Sequence, residues 1–494
     1  MTVYVGEILR CALNLEFGQN EAQVDEGLPV KWKWCQARCV LKAETLAPLR
    51  HFRQELYDDL GLRQDSLFEL ADAVLTAAGP TTLVRHSLSP SFRRRWPSTS
   101  DALADGSLDV AALRSLFLKS LPPPPGPAER MLWAVDGTAW PRPSASTSPD
   151  RTWEYRPVAG QPQKHLVPAW EYQWLVALPD AHASWILPLD VRRRGPTAGT
   201  PTELVIDQLR SAVAERSAEA PRPVVLLDSN YAPGELAQAA LAADVLVRLP
   251  RRRRFFGPPG PYSGLGAPRK HGRVLRLHAP DSHWTPDRSV TATDPLHGRV
   301  SVAVWHTLHD QAQARAPFAV VRVTIEHMPR YARPPEPLWL AWIGGPLPDD
   351  LLDLWRWYRR RFTIEHGFRL CKHDLGWTSI RLRHPSAADR WTWLLAADLW
   401  QLWLARALVA DQRLPWEPAR STAGLSPGRV RRVFSSFLAD LGSPARAPKT
   451  RGKSPGRPPS APSGPRQRFA VVYRKPVHDR RCHCPHHHRH PKAA

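Results

Sequence analysis

Apolar side chains from residue 44 onward recur at three- and four-residue intervals, the spacing that lines them along one face of a helix, in segments 49–60, 66–78 and 109–121. Leu113, Leu116 and Phe117 share one side of the third segment, and Asp65 or Ser66 stands where an N-cap for the second is expected. A small helical domain is therefore predicted over 44–121. Residues 1–43 show no clear period and read as an extension. Pro122-Pro123-Pro124-Pro125-Gly126-Pro127 has too few amide donors and too rigid a backbone for a helix or central strand, so 122–130 is a linker.

Past the linker the period shortens. An apolar run at 131–135 ends at Asp136, and runs at 171–178 and 184–189 are close enough to form an antiparallel meander with it. Helical spacing returns at 202–214, then a buried strand at 224–227 ends at Asp228, followed by a helix at 234–243 and a strand at 245–249. Three strands, then helix, strand, helix and strand, is the order of an RNase H-like α/β core, predicted here over 131–249. Residues 250–345 break that order with Arg251-Arg252-Arg253-Arg254, Gly- and Pro-rich turns and runs at 274–277, 300–305, 318–325 and 338–343, which predict a β-rich insertion. Helices at 349–373 and 386–407 complete the core over 346–441, the second burying Trp391, Leu394, Leu395, Leu402 and Trp403. Pro, Gly and Arg dominate from there on, predicting a disordered basic tail over 442–494.

Charge adds a partner to this picture. Lys and Arg number 68 against 46 Asp and Glu, a net charge of +22 spread along the chain, so nucleic acid is the first partner to test. Arg93-Arg94-Arg95-Trp96, between predicted helices, reads equally as a solvated loop or a DNA-backbone contact. No apolar run approaches the roughly 18–20 residues that span a bilayer, and the first residues lack a signal-peptide pattern, so a cytoplasmic, nucleoid-associated protein with no membrane partner is expected. The six cysteines are scattered and read as free thiols. Cys35 and Cys39, and the run Cys482-His483-Cys484-Pro485-His486-His487-His488, contain zinc-ligand types, but neither shows four ligands at fixed spacing.

The candidate chemistry lies in carboxylates. Asp136 and Asp228 each close a short strand run, and strands of one sheet end along a common edge, where two carboxylates can offer the hard oxygens Mg2+ requires. Asp190 and Glu171 also sit at ends of predicted strands. Further on, Tyr358, Arg361, Glu365 and Lys372 fall at intervals of three, four and seven, along one face of the helix predicted for 349–373. That stripe is either an exposed ion-pair face or a metal-ligating glutamate with phosphate-gripping neighbours.

Tyr358, Arg361, Glu365 and Lys372 match without a gap the Tyr-x2-Arg-x3-Glu-x6-Lys (YREK) signature, so the chain resembles the DDE transposases of bacterial insertion sequences, over about residues 131–406. The context Asp136-Gly137-Thr138, a second aspartate after a later strand and a β-rich insertion before the glutamate extend the resemblance. It implies that Asp136, Asp228 and Glu365 are a catalytic triad binding Mg2+, with Mn2+ as a substitute, and that Tyr358, Arg361 and Lys372 contact phosphates at the transposon end. Trp339 lies where relatives place a tryptophan that stacks on a flipped base, although Trp342 or Trp305 could fill the role and a core tryptophan is the plainer reading of each. Whether His366 or His373 joins in proton transfer is left open. The implied activity is cut-and-paste transposition: water attacks at the element end, the freed 3′-hydroxyl attacks the other strand or target DNA, and the enzyme works as a synaptic dimer. The alternatives are a domesticated or inactive relative that only binds DNA, and an RNase H-like nuclease that cuts without joining.

Overall fold

A computed structural model describes residues 30–474, except 80, 125–128, 158–163, 181–183, 218, 263, 265, 329–334, 451–455 and 457–464, with side chains from residue 44. The cysteine pair at 35 and 39 and the Cys/His-rich run at 482–488 lie outside the described side chains.

The helical lobe consists of Val30–Asp58, Gln64–Thr76, Leu83–His86, Pro97–Asp105 and Val110–Lys119. Neither Asp65 nor Ser66 caps the second helix, contrary to expectation. The chain reverses through Arg63 in the left-handed region (φ 62), which puts Asp65 inside the first turn, where its carboxylate accepts from the Tyr57 hydroxyl at 2.7 Å. Asp109 does cap its helix, accepting from the amides of Ala111 and Ala112. The lobe packs directly on helix Pro385–Ala405: Phe52 and Phe117 stack with Trp400, and Arg53, 1% exposed, bonds Asp72 and the Gln401 amide oxygen. The basic loop turns inward as well. Arg93 and Arg94 both pair with Glu69 and donate to the carbonyl of Arg446.

The core sheet forms because a meander and two parallel strands share one hydrophobic layer. Strand β1 is Leu132–Pro141, β2 Thr152–Pro157, β3 Lys164–Ala177, β4 Leu187–Arg194, β5 Val224–Leu227 and β6 Asp244–Arg248. The order β4-β3-β1-β5-β6, antiparallel across the first three and parallel from β1 to β6, is that of an RNase H-like core. Val224–Leu227 is buried throughout, as a central parallel strand must be. β1 runs five residues past Asp136, so this aspartate lies within the strand rather than at its end. The extra length pairs with β3, whose far half also carries β2.

The segment 250–345 does not stand apart. β9 (Arg288–Asp294), β10 (Gly298–Leu308), β11 (Phe318–Ile325) and β12 (Leu338–Ile343) extend the same sheet beyond β6, giving ten strands among the described residues. β12 pairs with β6 and so covers an edge whose amides and carbonyls would otherwise be open. Only β7 (Arg254–Phe256) and β8 (Val274–Arg276) form a separate two-stranded ribbon.

The single helix expected over 349–373 is broken. Leu352–Arg360 is followed by a tight turn, in which Arg361 and Phe362 donate to carbonyls three residues back, then by Thr363–Arg369 and a π-helical turn at Leu370–Asp374. Helices Pro385–Ala405 and Pro427–Leu441 complete the chain's hydrophobic core.

Part of the tail expected to be disordered is ordered. The Val472 amide donates to the Arg151 carbonyl, Tyr473 stacks on Trp153 at 5.6 Å, and Arg474 bridges Glu154 and Glu171 at 2.6 Å each. The acids on β2 and β3 give this basic stretch a partner, which periodicity does not reveal; residues 475–494 lie outside the described residues.

Candidate active site

β1 and β5 run parallel with Ala134 opposite Leu226, so two residues further along Asp136 and Asp228 are level at one edge of the sheet. β5 and β6 pair Leu227 with Val247, which brings Arg248 into the same row. Each aspartate is held by donors close to it in the chain. Asp136 accepts from the Gly137 amide at 2.8 Å, and Asp228 accepts from the backbone and side-chain nitrogens of Asn230 at 2.9 and 2.8 Å.

The broken helix delivers the remaining groups. Gly367 lets it approach the sheet, since a Cβ there would fall 2.0 Å from Ile186 Cδ1. The turn places Arg361 Nη2 2.9 Å from Asp136 Oδ2 and 3.9 Å from Asp228 Oδ2. Lys372 Nζ, in the π-turn, donates to Thr138 Oγ1 at 2.5 Å, two residues along the same face of β1 as Asp136. Glu365 is exposed at the mouth, near enough to Asp136 to bear on its protonation.

Burial, at 7% exposure, pushes the Asp136 carboxyl up to about 7; Arg361 opposes the shift, and Asp228 and Glu365 add to it. Burial lifts the Tyr358 phenol to about 12 against the pull of Arg361 and Arg248, so it stays a proton donor. Arg361 loses some basicity to burial but is raised on balance by Asp136, Tyr358, Asp228 and Glu365. Below the row, buried Tyr231 donates to the side-chain oxygen of Gln173 at 3.3 Å, and Gln173 in turn donates to Gln208 at 2.9 Å.

Asp136, Asp228, Glu365, Tyr358, Arg361 and Lys372 thus meet at one edge. Among the described residues, however, no group of three or more His, Cys, Asp or Glu side chains is gathered closely enough to hold a metal ion as it stands. Arg361 occupies the space between the two aspartates, acting as their cation. The donor set itself, three hard carboxylates with excess negative charge around Asp136, fits a divalent ion once that guanidinium turns aside.

The rival acids are engaged elsewhere. Asp190 is 1% exposed between Arg114 and Arg192, and Glu171 is held by Arg194 and Arg474. Trp339 is 3% exposed and packs against Trp305, His283 and Arg322, so stacking on a base would require it to leave that cluster; Trp305 and Trp342 are equally buried. His366 and His373 are exposed, the first with its ring edge-on to Phe362. Arg248 and Asn230 escaped the sequence reading, and Thr138 figured in it only as context for Asp136. Asn230 carries a local signal, an Asp-x-Asn turn, whereas Arg248 is visible only through strand register.

An RNase H-like sheet with acidic residues at one edge is the frame of a class of nucleases, and the sequence agrees. Residues 55–303, just over half the chain, match the DDE superfamily endonuclease family, and the protein belongs to it. That match contains Asp136 and Asp228 and ends before Glu365. No curated protein sequence matches the chain. Among solved structures it is similar to the piggyBac transposase synaptic complex with hairpin DNA, at 9% identity and a TM-score of 0.41 over 80% of each chain, a likeness too distant to argue from. Among the described residues no helix is long and apolar enough to cross a membrane.

Proposed function

We propose that the chain is a DNA transposase that cleaves the ends of a bacterial insertion sequence and joins the freed 3′ ends to target DNA by cut-and-paste, with Asp136, Asp228 and Glu365 holding Mg2+ and Mn2+ as a substitute. The observation that carries this reading is the single row of Asp136, Asp228 and Arg248 at the sheet edge, with Glu365 and Arg361 brought over it by the broken helix. Unbroken Tyr358, Arg361, Glu365 and Lys372 spacing supports an insertion-sequence origin.

A pair of divalent ions, when bound, would activate the attacking hydroxyl and stabilise the leaving oxygen. The protein's own groups then position the DNA. Arg361, whose Nε is buried without a hydrogen-bond partner among the described residues, is placed to turn from the aspartates to a scissile phosphate, where its fork of donors suits a phosphate's oxygens. Lys372, steadied by Thr138, supplies a second cation, and Tyr358, held protonated, donates a hydrogen bond. Trp339 remains a candidate for base stacking only if DNA binding opens its cluster. The working unit is proposed to be a dimer assembled on two DNA ends, in a nucleoid-associated protein.

A strand-transfer assay tests this: linear duplex carrying the element's terminal inverted repeats is incubated with supercoiled plasmid and Mg2+. Joined products from wild type, lost in Asp228→Asn, support the proposal. Cleavage without joining makes the protein a nuclease, and binding without cleavage leaves it a DNA-binding relative.

A further inference from the structure

A strongly uneven stretch of charge begins where the catalytic row ends. Between Pro250 and Pro280 stand eight Lys or Arg residues and not one Asp or Glu. Two of the eight reach out to acids elsewhere, Arg251 to Glu336 at 2.5 Å and Arg253 to Asp310 at 3.0 Å. The other six, Arg252, Arg254, Arg269, Lys270, Arg273 and Arg276, are exposed and have no carboxylate partner among the described residues.

The ribbon that carries them is fixed in place. Phe255 meets Phe318 edge-on at 5.4 Å, Phe256 and His309 exchange backbone hydrogen bonds of 3.0 and 2.9 Å, and the Arg253–Asp310 pair ties down its base. On its exposed face Arg254 and Arg276 are direct partners across β7 and β8. Like charges directly opposite one another repel, so the arrangement lowers the stability of the free protein and suits one that meets a polyanion. A solvated ribbon of the same size would need no such pairing.

Its position identifies the polyanion. The chain leaves the catalytic row at Arg248, and Arg252 follows four residues on, at most roughly 14 Å away at about 3.3–3.6 Å per residue. Along a duplex that is about four base pairs at roughly 3.4 Å each. We propose that the β7–β8 ribbon grips the phosphate backbone of duplex DNA beside the bond to be cut, without reading its bases. The proposal rests on the reading of the carboxylate row as a DNA-cleaving centre.

The test uses the full chain and an arbitrary duplex of about 30 base pairs, with affinity followed by fluorescence anisotropy from about 50 to 200 mM KCl. In Arg252→Gln/Arg254→Gln/Arg269→Gln/Arg276→Gln, with an unchanged melting temperature as the folding control, affinity falls at least about 10-fold and the slope of log K against log salt becomes shallower by about 3.6, or about 0.9 for each of the four lost contacts. The matching four-Lys variant keeps the wild-type slope, since it keeps the charge. Unchanged affinity and slope in the Gln variant would overturn the proposal, and so would loss of binding to phosphatidylserine vesicles while DNA binding is retained. A wild type that binds through the ribbon yet never cuts DNA in Mg2+ removes the transposase reading and leaves the grip. Cutting by wild type, with the ribbon variant's slope unaltered, removes the grip alone.

Discussion

In the helical lobe, Arg93 and Arg94 converge on Glu69, and Arg94 also reaches Asp65 at 3.4 Å; in the β7–β8 ribbon, arginines of the same local density face solvent and one another. The two runs look alike in sequence. They differ in how far carboxylates from other elements reach the charge: Glu69 takes both Arg93 and Arg94, whereas Glu336 and Asp310 take only Arg251 and Arg253 of the eight cations around the ribbon. In the lobe the charge is neutralised internally and ties helix Gln64–Thr76 to the segment after Leu441, a structural role. In the ribbon most of it is left over among the described residues. At the active site a third arrangement appears, with Arg361 held by two aspartates yet retaining a nitrogen that has no hydrogen-bond partner among the described residues.

The largest effect should come from the acids, which the comparison holds to be functional rather than structural. Glu365→Gln is expected to lower cleavage of element-end DNA at least about 1,000-fold while leaving duplex affinity within about 3-fold, because an exposed glutamate contributes ligation and little binding. A Glu365→Gln enzyme that cuts at the wild-type rate removes Glu365 from the chemistry. Next comes a buried pair in the lobe. Arg53→Ala leaves Asp72 charged and unpaired, since the Arg53–Asp72 contact is 2.6 Å with both side chains buried, and should cost about 3–5 kcal/mol in denaturant unfolding. A loss under about 1 kcal/mol would mean that water reaches the site.

The lobe should also be acid-sensitive. Burial, with Arg431 adding to it, holds His86 down to about 4. The unfolded chain therefore takes up a proton near 6.5 that the folded chain refuses, and stability is lost as pH falls from about 6.5 towards 4, by about 2–3 kcal/mol. In His86→Leu the pH profile over that window should be flatter; an unchanged profile would assign the loss to other groups. The smallest effect sharpens the contrast of the two basic runs. Arg93→Gln should cost about 1 kcal/mol by depriving buried Glu69 of a partner, whereas Arg269→Gln should change stability by less than about 0.5 kcal/mol. Equal costs at the two positions would erase the distinction.

Local pattern carried much of the fold. Strands at 224–227, 318–325 and 338–343 fall at their predicted bounds, because continuous or alternating apolar runs of that length have few other ways to be buried. The core order around β1, β5 and β6 followed from the same cue. The long helix over 349–373 did not survive intact, since periodicity reports which face is apolar and is nearly blind to a tight turn or a π-turn. Ordering of residues 465–474 was equally hidden, because Arg474 is stabilised by Glu154 and Glu171, some 300 residues away.

By itself, then, the sequence determined which side chains are candidates: two aspartates beside short apolar runs, a glutamate spaced from Tyr358, Arg361 and Lys372, and an excess of positive charge. Spacing along one element is a local property, and a chain cannot avoid displaying it. Tertiary structure alone decided that Asp136 lies inside its strand, that Arg361 spans two aspartates, that 250–345 continues the sheet, and which arginines are left without an acid. Those outcomes depend on strand register and on contacts between residues hundreds of positions apart, which no local period encodes.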